Sequence, residues 1–332
     1  MLEVASKAFF HALAGSQLLK RLASRYGLRH PASPARRFVA GDTLEDAIGA
    51  ARRVESRGLL HTLDYLGESV RTLAEAEAAA HQYQRIIETI AGAGIGANIS
   101  VKLTQLGLDI DRATCLDNMR RILEPAQRHE CFVRIDMESS AYTDLTLDIF
   151  EALWQQGHHN VGIVLQSYLR RSEKDLARIN ALGARVRLVK GAYNEPKHVA
   201  YHRKADVDVA FVRMMDGLFR EGVYPAIATH DAGLIEEAKR RAARLGLRRD
   251  QFEFQVLFGI RRDLQASLAA EGYRVRIYIP FGTEWFPYFM RRLGERPANV
   301  LFLIRGLMQE QRPSGPSPSR QLGRRSPPRE RP

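Results

Sequence analysis

The sequence predicts an α/β fold, a (β/α)₈ barrel, on three observations. Eight short β-rich runs recur along the 332-residue chain, each bounded by turn residues. Between them lie longer segments with apolar residues at three- and four-residue spacing, the pattern of amphipathic helices. The runs also tend to close on a polar or charged residue, at the end where such barrels build their sites.

Residues 1–55 precede the first run and read as helices capping the barrel. Their opening, MLEVASKAFFHALAGSQLLKRLASRYGL, is amphipathic and carries both signs of charge. It lacks the basic start, apolar middle and small-residue cleavage site of a secretion signal. The runs follow as LLHTLDYLG, NISVKL, CFVRIDM, VGIVLQS, VRLVKGA, YPAIATH, FEFQVLFG and VRIYIPFG. Helical segments between them include LAEAEAAAHQYQRIIETIAGAG, CLDNMRRILEPAQRH, DLTLDIFEALWQQG, DVAFVRMMDGLFREG and AGLIEEAKRRAARLG. Several end in Gly, as a left-handed C-cap prefers. GAGIGA (92–97) looks like a dinucleotide loop, but that fingerprint follows a strand and opens a helix. Here it follows a helix and opens a strand, so it reads as a plain connection. With no interdomain linker in view, residues 56–310 read as one barrel domain. The tail, residues 311–332, is rich in Pro, Ser and Arg, has almost nothing to bury, and reads as disordered.

Composition narrows the function. At 45% hydrophobic and 27% charged the chain is an ordinary globular protein. No run approaches the roughly 18 apolar residues needed to cross a bilayer, and a cytoplasmic location is expected. Cys115 and Cys131 make no disulfide framework and no tetrahedral metal site. Cys131 opens an apolar run and reads as core. The net charge of +12 invites a nucleic-acid reading, but the tail alone, with six Arg and one Glu, supplies +5. The rest is spread along the chain, so no nucleic-acid partner is expected. The tail reads either as a solvated extension or as an electrostatic contact with anionic lipid or another acidic partner.

Chemistry is expected at the C-terminal ends of the strands. The most informative run is VRLVKGAY, where Arg187 and Lys190 interrupt apolar sequence. Buried cations are costly without an anion. Arg187 and Lys190 differ in parity, so one of them lies beyond the last ladder bond, where Gly191 lets backbone come close to a ligand. The other ends offer Lys102; Asp136 and Glu138; Gln166, Arg170 and Arg171; Tyr193; Thr229, His230 and Asp231; and Tyr278. Arg134 and Asp136 share a face and are expected to pair. Any one of these alone reads equally as a structural ion pair or a hydrogen-bonded histidine. His230, Asp136, Glu138 and Asp231 are crowded by cations, which disfavours a metal site. The set suits an anionic organic ligand instead. After the last strand, GTEWFPYFMRRLGERPANV reads as a helix from about Glu284 to Leu293 across the mouth. Its Arg291 and Arg292 suit bidentate capture of a small carboxylate, with Glu295 holding one guanidinium.

Taken together, NISVKLTQLG, VRIDMES, VLQSYLRR, VRLVKGAY, ATHD, EFQVLFGI and VRIYIPFGTEWFPYFMRRLGERPANV resemble the proline dehydrogenase family. The resemblance runs from roughly Arg37 to Met308, in the family's order. It implies a distorted (β/α)₈ TIM barrel that holds FAD at the C-terminal strand ends. The implied reaction is oxidation of L-proline to Δ1-pyrroline-5-carboxylate by hydride transfer from C5 to flavin N5. Electrons then pass to a membrane quinone, with peripheral contact at the inner face of the membrane. The chain is too short to include the aldehyde dehydrogenase module of bifunctional relatives, so the monofunctional form is expected.

By motif, Arg291 and Arg292 match the pair that grips the proline carboxylate, and Lys102 the lysine beside it. Tyr278 and Leu257 match the wall around the proline ring. Asp136 and Arg187 match charged residues at the reacting centre. Met137 and Gln166 match residues along the isoalloxazine, Lys190, Gly191 and Ala192 a cofactor-binding turn, and Thr229 and His230 contacts to the rest of FAD. Tyr193 falls near the substrate pocket. Phe258 and Phe281 stand where many relatives have Tyr, losing a hydroxyl but keeping ring volume. Without the resemblance, a barrel lyase using Lys190 as a Schiff-base nucleophile competes.

Overall fold

The computed structural model describes Leu28 and residues 33–295. The rest of the expected N-terminal helical segment and the expected tail lie outside the described residues, as does the side chain of Glu295. Eight strands run β1 (Leu60–Tyr65), β2 (Asn98–Val101), β3 (Phe132–Ile135), β4 (Val161–Gln166), β5 (Val186–Val189), β6 (Ala226–Ala228), β7 (Glu253–Leu257) and β8 (Arg274–Phe281). They close in sequence order into a parallel barrel. Each strand lies within the run that predicted it, except that β8 begins one residue earlier, at Arg274.

Nine α-helices accompany the strands: α1 (Leu44–Glu55), α2 (Leu73–Ala93), α3 (Arg112–Arg128), α4 (Thr143–Gln155), α5 (Ser172–Ala181), α6 (Lys204–Glu221), α7 (Ala232–Arg244), α8 (Arg262–Ala270) and α9 (Trp285–Glu295) among the described residues. Helix α1 precedes β1, and α2 to α9 follow β1 to β8 in turn. Helices α1 and α2 open on capping boxes, Thr43 with Asp46 and Thr72 with Glu75. Helix α2 ends at Gly94, whose φ of 66° turns the chain toward β2, so the GAGIGA segment is the connection expected.

Period-two alternation sorts each strand into two faces. One set, including Ile99, Val101, Val133, Ile135, Ile163, Leu188, Ile277 and Ile279, is almost fully buried in the main apolar core with the helices. The other set is largely polar. Thr62, Asp64, Ser100, Arg134, Arg187, Glu253, Gln255, Arg276 and Tyr278 belong to it. Buried charge is tolerated there because it is partnered. Arg276 clasps Glu253 through Nε at 2.7 Å and Nη2 at 3.0 Å. Arg134 donates to the carbonyls of Ile163 (3.1 Å) and Arg185 (2.6 Å). The expected Arg134–Asp136 pair is therefore not formed. Two residues along one strand separate the groups by one layer, and Gly162 leaves room for the Arg134 guanidinium to turn sideways. A Cβ on Gly162 would stand 2.6 Å from Arg134 Nη1.

A second apolar cluster seats α9. Leu28, Phe38, Leu66, Trp285, Phe286, Phe289 and Leu293 pack together, with the Phe38 and Phe289 rings 6.1 Å apart. This cluster ties α9 to the segment before α1 and to the loop after β1. It brings Arg291 over the C-terminal end of β1.

Candidate active site

The strand ends build two groups of side chains. The first centres on Asp136, one residue past β3. Its Oδ1 accepts from Arg187 Nη1 at 2.6 Å, and its Oδ2 accepts from the Tyr278 hydroxyl at 2.6 Å. Arg187 Nη2 donates to Ser100 Oγ at 3.1 Å, and the guanidinium lies 5.2 Å from the Tyr278 ring centroid. Three strands thus converge on one carboxylate. Burial, and then Asp136, pushes the Tyr278 phenol well above its ordinary pKa, so it stays a donor. Arg187 Nε is buried and has no hydrogen-bond partner among the described residues.

Beside this triple lies the buried pair Lys102–Asp64, Nζ to Oδ1 at 3.1 Å. Burial raises the Asp64 pKa, with Lys102 opposing it. For Lys102, burial acts to lower the pKa, but Asp64, Asp136 and Glu68 outweigh it and the net shift is upward. The lysine is thus a fixed positive charge facing several carboxylates. Glu68, in the loop after β1, bonds Arg291 Nη1 at 2.7 Å and Nη2 at 3.4 Å. It therefore acts on two cations, Arg291 directly and Lys102 through its charge. Arg292, next on α9, is buried with its guanidinium 5.0 Å from the Tyr288 ring. Burial, and then the charges of Glu138 and Glu68 against those of Arg291 and Lys102, raise the pKa of the Tyr193 phenol. Met137 and Gln166 are buried, and Gln166 Nε2 donates to the Glu138 carbonyl at 2.8 Å. Burial pushes the Glu138 carboxyl up to about 7 against the hydrogen bonds from Thr104.

The second group lies past β5, β6 and β7. Lys190 falls beyond the end of β5, while Arg187 sits within it, as their parity required. Lys190 Nζ bonds Asp208 at 2.6 Å and Asp231 at 3.0 Å, and Lys204 adds a bond to Asp231 at 3.0 Å. Burial opposes ionisation of Asp231, but Lys204 and Lys190 hold its pKa below the usual carboxylate range. Thr229 Oγ1 accepts from the Asp231 amide at 3.2 Å. His230 Nε2 accepts from the Leu257 amide at 3.0 Å, which puts the ring proton on Nδ1. Ala192 is exposed. Gly191 has φ 109°, and a Cβ there would meet the Tyr168 ring at 2.2 Å. The glycine is thus required by the approach of the protein's own tyrosine.

Sequence reasoning overlooked Asp64, Glu68, Ser100 and Asp208. Asp64 had a signal, an acidic residue inside the apolar run LLHTLDYLG. Asp208 had none, because its link to Lys190 joins the start of α6 to the end of β5.

A closed parallel barrel with ionisable side chains massed at the C-terminal ends of its strands is a (β/α)₈-barrel enzyme. The family model for proline dehydrogenase matches residues 47–305. Proline dehydrogenase 1 of Bacillus subtilis (strain 168) is 40% identical over 301 residues, covering 91% of this chain and 98% of that protein. The proline dehydrogenase of Deinococcus radiodurans is 43% identical over 279 residues, covering 83% and 90%. The bifunctional protein PutA of Escherichia coli (strain K12) is 31% identical over 313 residues, with 81% of this chain matching 24% of that one. Among solved structures, proline utilization A from Bdellovibrio bacteriovorus, inactivated by N-propargylglycine, superposes with a TM-score of 0.74 at 26% identity. It covers 84% of this chain and 34% of its own. The chain belongs to the proline dehydrogenase family.

Proposed function

We propose that the enzyme oxidises L-proline to Δ1-pyrroline-5-carboxylate, using FAD and passing the electrons to a quinone. The observation that carries this reading is the Asp136–Arg187–Tyr278 triple beside Lys102, with Arg187 Nε a buried donor that lacks an acceptor among the described residues. A buried, unmade hydrogen bond is costly, and a flavin ring edge offers acceptors that fit it. Bound FAD would supply the redox chemistry, taking hydride at N5 from C5 of proline.

The remaining roles belong to side chains. Arg291, Arg292 and Lys102 hold the substrate carboxylate. Arg291 is bonded to Glu68 in this structure, and its guanidinium, with five N–H donors, can take the substrate carboxylate as well. Tyr278 and Leu257, paired in register across β7 and β8, wall the ring. Asp136 fixes Arg187 and Tyr278 at the reacting face. As hydride leaves C5, the ring nitrogen's lone pair forms the C=N bond, so the amine reacts in its neutral form. Lys190, Gly191, Ala192, Thr229 and His230 form the cofactor's second anchoring region, with Met137 and Gln166 along its ring system. Lys190 as a Schiff-base nucleophile fits less well, because two ion pairs occupy its head group.

Among the described residues no helix is long and apolar enough to cross a membrane. The reading places the enzyme in the cytoplasm, with peripheral contact where a lipid-soluble quinone is met. The test is steady-state oxidation of proline with a soluble quinone. Arg291→Ala and Arg292→Ala should each raise KM for proline at least roughly tenfold with flavin content unchanged. Unchanged KM in both variants refutes the carboxylate assignment.

A further inference from the structure

The segment between β5 and α6 carries Lys190, Gly191 and Ala192, and backbone bonds pin it at both ends. At its start the Lys190 carbonyl accepts from the Tyr168 amide at 2.9 Å. Toward its end Ala200 bridges to Leu169, and the Tyr201 amide donates to the Tyr168 carbonyl at 2.7 Å. Tyr168, Leu169 and Ala200 form a small buried apolar cluster there. Between these ends stands Glu195, 7% exposed. Its Oε1 accepts from the Ser140 amide at 2.7 Å and from the Tyr168 hydroxyl at 3.4 Å, and its Oε2 accepts from the Ser140 hydroxyl. Ser140 opens the 3₁₀ turn Ser140–Tyr142 after β3, so the ends of β3, β4 and β5 meet at one carboxylate. Among the described residues that carboxylate has no ion-pair partner, and hydrogen bonds offset its burial. Burial, and then Glu195, push the Tyr168 phenol above its ordinary pKa, with the Tyr193 amide opposing, so the phenol stays a donor.

We propose that Glu195 is a positioning residue for the cofactor: it ties Ser140 and Tyr168 to the segment after β5, holds the Tyr168 ring against Gly191, and so fixes the backbone turn at 190–192. The proposal rests on the reading that this turn holds FAD. Gly191, at φ 109°, has no side chain to define its conformation, so the turn keeps its shape only if its surroundings impose it. The Tyr168 ring is the surface that does so, since a Cβ on Gly191 would stand 2.2 Å from it. Glu195 is suited to hold that ring. It precedes Pro196, which confines it to extended backbone, so fixing its carboxylate costs less conformational freedom. Without the carboxylate, Ser140 and the phenol turn to water, the ring loses its anchor, and the glycine turn samples other conformations.

The test is release of FAD from diluted holoenzyme, followed by recovery of flavin fluorescence, with Tm alongside. Glu195→Ala should release FAD at least roughly tenfold faster than wild type. Glu195→Gln keeps the acceptor for the Ser140 amide and the phenol, and its amide nitrogen can donate to the Ser140 hydroxyl oxygen, so it should stay within about threefold of wild type. Ser140→Ala should speed release by itself and add nothing further to Glu195→Ala. A Glu195→Ala holoenzyme with lowered Tm that releases FAD at the wild-type rate has lost only a structural bond, and that result overturns the proposal. So does a Glu195→Gln enzyme that releases FAD as fast as Glu195→Ala. Lys190→Met tests the underlying reading separately. If it speeds release and Glu195→Ala does not, the turn holds FAD and the Glu195 proposal alone fails. If neither does, the cofactor reading of the turn has failed and the proposal falls with it. Should Glu195→Ala not fold, Ser140→Ala and Tyr168→Phe still decide. Each should release FAD about threefold faster, and wild-type rates in both overturn the proposal.

Discussion

Replacing Asp64 by Asn probes the electrostatics of the mouth most cleanly. Asp64 is 1% exposed and holds Lys102, whose side chain is 10% exposed, at 3.1 Å. The substitution keeps shape and removes one charge. Breaking a buried pair from one side costs about 3–5 kcal/mol, because the other charge is left uncompensated. Two features reduce that here. The asparagine carbonyl still accepts from Nζ, and Asp136 and Glu68 still act on the lysine. A loss of about 2–3 kcal/mol follows. For a chain of this size, with about 2.1 cal/mol/K of unfolding entropy per residue, it corresponds to roughly 3–4 °C in Tm. A second consequence separates a binding lysine from a merely structural one. If Lys102 receives the substrate carboxylate, a ligand supplies the anion that Asp64→Asn has lost. A saturating ring carboxylate without the amine, which cannot be oxidised, should then raise Tm more in the variant than in wild type. The assay is thermal unfolding of holoenzyme with and without cyclopentanecarboxylate. Equal stability of the two proteins, or a ligand-induced rise no larger in the variant, refutes the reasoning.

Two further outcomes follow from the same geometry. Tyr278→Phe removes the donor 2.6 Å from Asp136, a charge-assisted bond worth about 1.5–3 kcal/mol; kcat/KM for proline should fall roughly tenfold or more, and steady-state rates equal to wild type contradict the placement of Asp136. Glu138→Gln tests a pH effect. Burial raises the Glu138 pKa from 4.5 to about 7, so the folded protein holds that proton more tightly than the unfolded chain. The stability it lends is full below about pH 4.5 and is lost as pH rises through 7. The Tm of Glu138→Gln minus that of wild type should therefore grow between pH 5 and 8 and then level off, and a difference constant with pH removes the assignment.

The barrel was legible because its signals are local. Each strand is an apolar run closed by turn residues, and each helix carries its own period. The split between Arg187 and Lys190 was legible for the same reason, since parity is a property of one strand. What escaped notice depends on register between strands. Asp64 meets Lys102 only because β1 and β2 pair with Asp64 opposite Ser100. The Arg134–Asp136 expectation failed because Arg187, arriving from β5, reaches Asp136 first, while Gly162 on β4 frees Arg134 to cap carbonyls a layer below. Glu68 sits in a loop whose next two amides, of Ser69 and Val70, bond to Thr104, a residue far from it in the chain. No short window of sequence contains that information. Two adjacent arginines on a helix also read as a solvated face; the position of Arg291 and Arg292 across the mouth suggested a small carboxylate, and the resemblance named it as that of proline.

The account's central claim is that this barrel mouth joins a flavin to proline. The most direct measurement is the visible spectrum of the purified, FAD-supplemented protein, recorded anaerobically before and after L-proline is added. The account predicts flavin absorption bands that bleach on addition of proline. Protein that remains colourless with excess FAD, or a flavin spectrum that proline leaves unchanged, would contradict it.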